Sequence, residues 1–196
     1  MTGLELLPLR QRLQADFELQ THQFHYSSLF GEEAGTAARL ATLAHSLPAP
    51  VHFVGHSLGG LLILDLFERF GASLPPGRVV LLGSPVNGAQ AARTLSGWPG
   101  MRTLLGAMPH RQLVDAPPRV WRQPRALGVI AGTTALGLGL VTGGLEGPSD
   151  GTVLVEETRL EGRTAMVTLP VAHAAMGLSA VVAHQTGRFL VTGQFD

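Results

Sequence analysis

Val51-His52-Phe53-Val54-Gly55-His56-Ser57-Leu58-Gly59-Gly60, followed by the run Leu61 to Phe70, is the stretch on which the reading of this chain turns. A short apolar run of strand length, Val51–Val54, leads into it. A run apolar on most of its surface, with Asp65, Glu68 and Arg69 as exceptions, leads out as a helix over Leu58–Phe70. Between them, Gly55–Gly59 reads Gly-x-Ser-x-Gly in a strand–turn–helix context. There a serine sits on a sharp, strained turn with its hydroxyl beyond the sheet, and small neighbours let strand and helix come close. Ser57 is therefore the candidate nucleophile. With 25 glycines in 196 residues the bare pentapeptide is a weak signal, since a glycine-rich turn with a solvated serine has the same letters. The flanking strand and helix give it weight.

Working outward, strand and helix patterns alternate. Toward the N-terminus, Leu4, Leu6, Leu7, Leu9 and Leu13 mark an amphipathic helix, irregular at Pro8; Phe17, Leu19, Phe24 and Tyr26 suggest a strand near Asp16–Phe24; a second helix covers Glu32–Leu47 and ends at Pro48-Ala49-Pro50. Toward the C-terminus, Val79–Leu82 is a continuous apolar strand of the kind a sheet covered on both faces requires. Residues 85–125 break the alternation, with short helices near Ala89–Leu95 and Met101–Met108, and read as a small cap over the sheet edge. The pattern resumes with a strand at Leu127–Ala131, a glycine-rich loop through Asp150, a strand near Thr164–Leu169 and a final helix over Ala175–Leu190. Alternation of this kind argues for one α/β domain spanning residues 1–196.

Composition excludes several classes of function. Lys+Arg and Asp+Glu both number 14, so the formal net charge is zero and no basic field exists to hold nucleic acid or an anionic lipid surface. Small, neutral substrates suit such a surface better. The absence of cysteine removes disulfides and thiolate metal sites without fixing the compartment. Met1–Glu5 carries an acid early and no basic stretch before an apolar run, so it does not resemble a signal peptide, and a cytoplasmic location is expected. Ala126–Leu145 is uncharged and long enough to span a bilayer, but six glycines and three threonines dilute it, and no transmembrane segment is expected.

A serine hydroxyl needs a general base within reach and an acid to orient that base. Where an elbow of this type opens a sheet, the partners follow in the order Ser, Asp/Glu, His on loops beyond later strands. Asp150, in an Asp-Gly turn, and His173, directly after the strand near Thr164–Leu169, satisfy that order. Glu156 and Glu157 compete for the acid and His184 for the base. His56 is too close in sequence to serve Ser57, and His22, His25, His45, His52 and His110 have no matching context. No histidine pair with a carboxylate has the helical spacing of a zinc site, so neither metal nor cofactor is expected.

Gly55–Gly60, Gly83-Ser84-Pro85-Val86-Asn87-Gly88, Ser149-Asp150-Gly151-Thr152-Val153 and Pro170-Val171-Ala172-His173 together resemble the lipase and esterase members of the α/β-hydrolase superfamily. The resemblance implies a doubly wound, mostly parallel sheet with a small cap, no cofactor, and a triad of Ser57, Asp150 and His173. It also implies that the backbone N–H of Leu58 serves as one oxyanion donor. The substrate it implies is an acyl ester or lipid, cleaved through an acyl-enzyme. An inactive binding module on the same fold and an acyltransferase are the alternatives. The family also has a strand ending in His-Gly before its first helix, lying between the strands expected near Asp16–Phe24 and Val51–Val54. This sequence lacks it, so the fold is expected to be N-terminally shortened, with Met1 lying inside a longer natural protein.

Overall fold

The computed structural model describes residues 4–26, 33–90, 119–136 and 145–196. A 3₁₀ turn, Leu4–Leu6, opens into helix α1, Leu7–Phe17, where Pro8 falls in the first turn and its missing N–H interrupts no helical bond. Glu18 ends α1 in the left-handed conformation (φ 55°), and its N–H returns to Leu13 O. Helix α2 covers Glu33–Ser46, β1 Phe53–His56, α3 Leu58–Phe70, β2 Val79–Leu82, β3 Leu127–Gly132, β4 Ala165–Leu169 and α4 Ala180–Thr192. The strands form one parallel sheet in the order β1-β2-β3-β4, with Gly55 opposite Leu81, Val80 opposite Gly128 and Gly132 opposite Leu169.

Strand alternation divides the core between two faces. Phe53, Val79, Leu81, Leu127 and Val129 pack under α2 and α3, whereas Val80, Leu82 and Ile130 pack under α1 and α4. The outer layers are close: α1 crosses α4 where a Cβ on Gly187 would lie 2.3 Å from the Phe17 ring. This is the two-sided α/β architecture expected from the sequence.

Three expectations are corrected. The strand near Asp16–Phe24 does not form: α1 runs through Phe17, and residues 18–26 follow without regular structure, because a strand exists only when a neighbour takes up its backbone groups. The strand expected over Val51–Val54 lies two residues later and includes Gly55 and His56 of the motif itself. The last helix begins at Ala180, not Ala175. His173–Ala175 form a separate 3₁₀ turn, and the Ser179 side chain accepts the Val182 N–H as the true helix cap. Most of the cap expected over 85–125, including its second short helix, and residues 137–144 of the glycine-rich loop lie outside the described residues. Among the described residues no helix is long and apolar enough to cross a membrane.

Candidate active site

Ser57 occupies the single residue between β1 and α3, at φ 54° and ψ −123°. A side chain rarely adopts that region, and holding it there costs about 1–3 kcal/mol, which the surroundings must offset. They do so sterically and through the ladder. The Ser57 N–H continues the β1–β2 pairing to Leu82 O at 2.9 Å, and Gly60 N–H donates to Ser57 O at 3.1 Å. A Cβ on Gly55 would lie 2.6 Å from Gly60 N and 2.7 Å from the Ile63 Cδ1, so only glycine lets α3 fold back on β1. The first N–H of α3, that of Leu58, has no acceptor among the described residues and carries the positive end of the helix dipole.

Asp150 is 1% exposed. Its Oδ1 accepts the N–H groups of Thr152 (2.9 Å) and Val153 (2.7 Å), and its Oδ2 accepts His173 Nδ1–H at 2.7 Å. A backbone bond, His173 N–H to Asp150 O at 2.9 Å, fastens the same two loops. Gly132, at the end of β3, leaves the room: a Cβ there would meet Asp150 Cβ at 2.7 Å and Val171 O at 2.3 Å. Since a carboxylate can only accept, Nδ1 carries the proton of the neutral imidazole, leaving Nε2 as an acceptor. Ser57 and the Asp150–His173 pair thus sit beyond the carboxyl ends of the parallel strands, where ligands of such sheets bind. No hydrogen bond joins Ser57 Oγ to His173 in this structure.

His56 links the two halves. Its Nε2 donates to His173 O at 3.1 Å, and the two rings lie 4.7 Å apart, tilted by 39°. Burial, reinforced by the neighbouring His173, pushes its pKa down to about 4, so the ring is neutral near pH 7. With the proton on Nε2, its Nδ1 is a bare acceptor, buried and without a hydrogen-bond partner. Sequence reasoning set His56 aside because an adjacent residue cannot act as base for Ser57. The missed signal is its position at the end of a strand whose neighbours carry the other loops.

The rival residues are placed elsewhere. Glu157 is buried, but its carboxylate accepts the N–H of Leu154 (2.9 Å) and of Gln90, tying two loops together. Glu156 is exposed and pairs with Arg159. His184 is exposed on the outer side of α4, its Nε2 2.9 Å from Asp196 Oδ2. His45 bonds the backbone of Ala41 and Ser73, and His52 Nδ1 accepts the Arg78 N–H. His110 lies outside the described residues. Among the described residues no group of three or more His, Asp or Glu is placed to hold a metal ion.

Comparison with known proteins agrees with this architecture. A lipase of Bacillus licheniformis, BlEst2, superposes in its mature form with a TM-score of 0.56 at 24% identity, over 72% of this chain and 66% of the lipase. Its propeptide form gives 0.59 at 22% identity, over 78% of this chain and 38% of that one, so this chain spans less than two thirds of either. RedJ, a thioesterase from the prodiginine biosynthetic pathway of Streptomyces coelicolor, gives 0.56 at 15% identity, over 97% of this chain and 80% of RedJ. These likenesses bear on the fold. No curated protein is significantly similar in sequence. The model of the alpha/beta hydrolase family, however, matches residues 17–188, from the end of α1 to within α4 and through every strand of the sheet, and the chain belongs to that family.

Proposed function

We propose that the protein is a serine hydrolase that cleaves carboxylic esters through an acyl-enzyme on Ser57. The observation that carries this reading is the joint one of a serine at φ 54° on the strand–helix turn and a buried Asp150 holding His173 Nδ1 at 2.7 Å, both at one end of the sheet. In the proposed cycle His173 Nε2 takes the Ser57 proton as Oγ attacks the ester carbonyl, and Asp150 stabilises the imidazolium that forms. The Leu58 N–H faces the charge developing on the carbonyl oxygen, where one such donor is worth about 2.7–4 kcal/mol. The imidazolium then protonates the departing alcohol. Water, deprotonated by the same nitrogen, attacks the acyl-serine and releases the acid.

Two further readings have specific support. RedJ and the borrelidin-cluster protein BorB, a type II thioesterase with a TM-score of 0.51 at 16% identity, favour a thioester as the acyl donor on the same machinery. The missing hydrogen bond between Ser57 and His173 favours an inactive binding module, although such bonds often tighten only when substrate binds.

A fluorophosphonate probe, followed by a chain-length series of p-nitrophenyl esters and acyl thioesters, separates the three. The expected result is labelling that disappears in Ser57→Ala. kcat should fall at least about a thousandfold in Ser57→Ala and in His173→Ala, since the two act as one proton-transfer unit. Asp150→Asn should be severe and His184→Ala mild. Folded protein that takes no label, or more than about a tenth of wild-type kcat in Ser57→Ala, overturns the proposal.

A further inference from the structure

The nucleophile and the base reach the candidate site on different supports. Ser57 is fixed to the sheet, its N–H continuing the β1–β2 ladder to Leu82 O. His173 stands on the loop after β4, and two of its bonds, Nδ1–H to Asp150 Oδ2 and N–H to Asp150 O, tie it to the loop of the acid. Those bonds set its tautomer and the direction of its ring relative to Asp150. They leave the distance from His173 to Ser57 unset, because their partner belongs neither to β1 nor to α3.

His56 supplies that tie. Alternation along β1 turns Phe53 toward α2 and α3 and turns Val54 and His56 toward α1 and α4, the face on which Val171 and Met176 flank His173. His56 is 8% exposed, and its Nε2–H reaches His173 O at 3.1 Å with the ring centroids 4.7 Å apart. Among the described residues, this is the hydrogen bond that joins the strand of the nucleophile to the loop of the base. The same carbonyl accepts the Met176 N–H at 3.3 Å, so it closes the 3₁₀ turn on one side and meets His56 on the other. Since His56 and Ser57 are consecutive residues, the His56 imidazole is a spacer of fixed length between the backbone of the nucleophile and the backbone of the base.

We propose that His56 is a positioning residue: through its Nε2–H on the His173 carbonyl it sets how closely His173 Nε2 approaches Ser57 Oγ. The inference rests on the acyl-enzyme reading above. The residue type fits the task. The ring has to donate to a carbonyl while staying uncharged, since a cation there would oppose the imidazolium that forms on His173 during attack. Burial and the neighbouring His173 keep it neutral, outweighing the backbone bond and the carboxylates of Asp150 and Glu5, which favour the charged form. A lysine or arginine would bring that charge permanently, and an aliphatic side chain would bring no donor. Buried as it is, His56 offers a substrate no contact. Acylation and deacylation both use His173 Nε2, so displacing the base slows the two steps together and leaves KM in place.

Three variants test it with p-nitrophenyl esters, each first checked for folding by circular dichroism. Glutamine places an amide N–H near the position of the imidazole Nε2, asparagine places one near that of Nδ1, and phenylalanine keeps a ring without a donor. His56→Gln should stay within about fivefold of the wild-type kcat, whereas His56→Asn and His56→Phe should lose about ten- to a hundredfold, with KM changed by less than about twofold. In all three the downfield Nδ1–H proton resonance of His173 should persist, because its bond to Asp150 is untouched. A role in stability alone would make activity follow thermal stability, with glutamine and asparagine alike. Wild-type kcat in folded His56→Asn and His56→Phe, or an equal loss in His56→Gln, overturns the inference and leaves the hydrolase reading standing. A folded wild type that takes no fluorophosphonate and cleaves neither esters nor thioesters removes that reading, and this inference with it. Should His56→Phe not fold, the asparagine and glutamine pair decides.

Discussion

A Cβ placed on Gly60 would lie 2.0 Å from the Ser84 hydroxyl oxygen and 2.6 Å from its Cβ, whereas one placed on Gly59 meets nothing nearer than the Tyr26 hydroxyl at 3.7 Å. Both glycines follow the candidate nucleophile, yet only Gly60 is held by contact, with Ser84 buried just past the end of β2. Gly60→Ala should therefore destabilise the fold by about 1–3 kcal/mol in urea unfolding. Gly59→Ala, in a helix that favours alanine, should be neutral or stabilising by up to about 1 kcal/mol. Equal losses at the two sites would contradict this assignment. His56 makes a second prediction. Its folded pKa of about 4 lies below the ~6.5 of an unfolded histidine, so as the pH falls below about 6.5 the unfolded chain binds a proton that the folded one refuses. The stability present above that pH is lost as pH falls to about 4 and levels off below, a change of roughly 3 kcal/mol at most. In His56→Asn that part of the pH dependence should vanish; an unchanged profile would place the acid sensitivity elsewhere.

At the scale of elements, α4 shows how local chemistry overrides hydrophobic pattern. Its apolar positions extend back to Ala175 and Met176, but the His173 N–H is committed to Asp150 O, which turns the chain into a 3₁₀ turn. The helix restarts where Ser179 caps it. Arg78 closes the far end, its Nη1 donating to Leu190 O (2.6 Å) and Val191 O (3.0 Å), two of the carbonyls a helix terminus leaves unpaired. Ser179→Ala should lower thermal stability by the equivalent of about 1 kcal/mol, and Ser179→Asp should restore it. The segment from Glu18 to Tyr26 is the opposite case. Phe17, Leu19, Phe24 and Tyr26 carry a strand-like pattern, but pattern alone makes no strand, and no described strand pairs with it.

The whole molecule rests on two cores that share one sheet. Phe67, 2% exposed, stands edge-on to Phe53 (5.3 Å) and Trp121 (5.0 Å) under α3, and Phe189, fully buried, packs on the other face. Truncation of either to alanine should cost about 3–5 kcal/mol. Because both cores are built on the same strands, unfolding should remain a single transition in each variant. Separate transitions for the two faces, by fluorescence and circular dichroism, would refute that coupling. By itself the sequence determined the alternation of strands and helices and the serine turn, because both depend on residues near in the chain. Only the tertiary structure decided that Asp150 rather than Glu156 or Glu157 holds His173, that His56 bonds the His173 backbone, and that a cavity lies beside β1. Those outcomes depend on which loops and edges the parallel sheet brings side by side, across separations that no local pattern records.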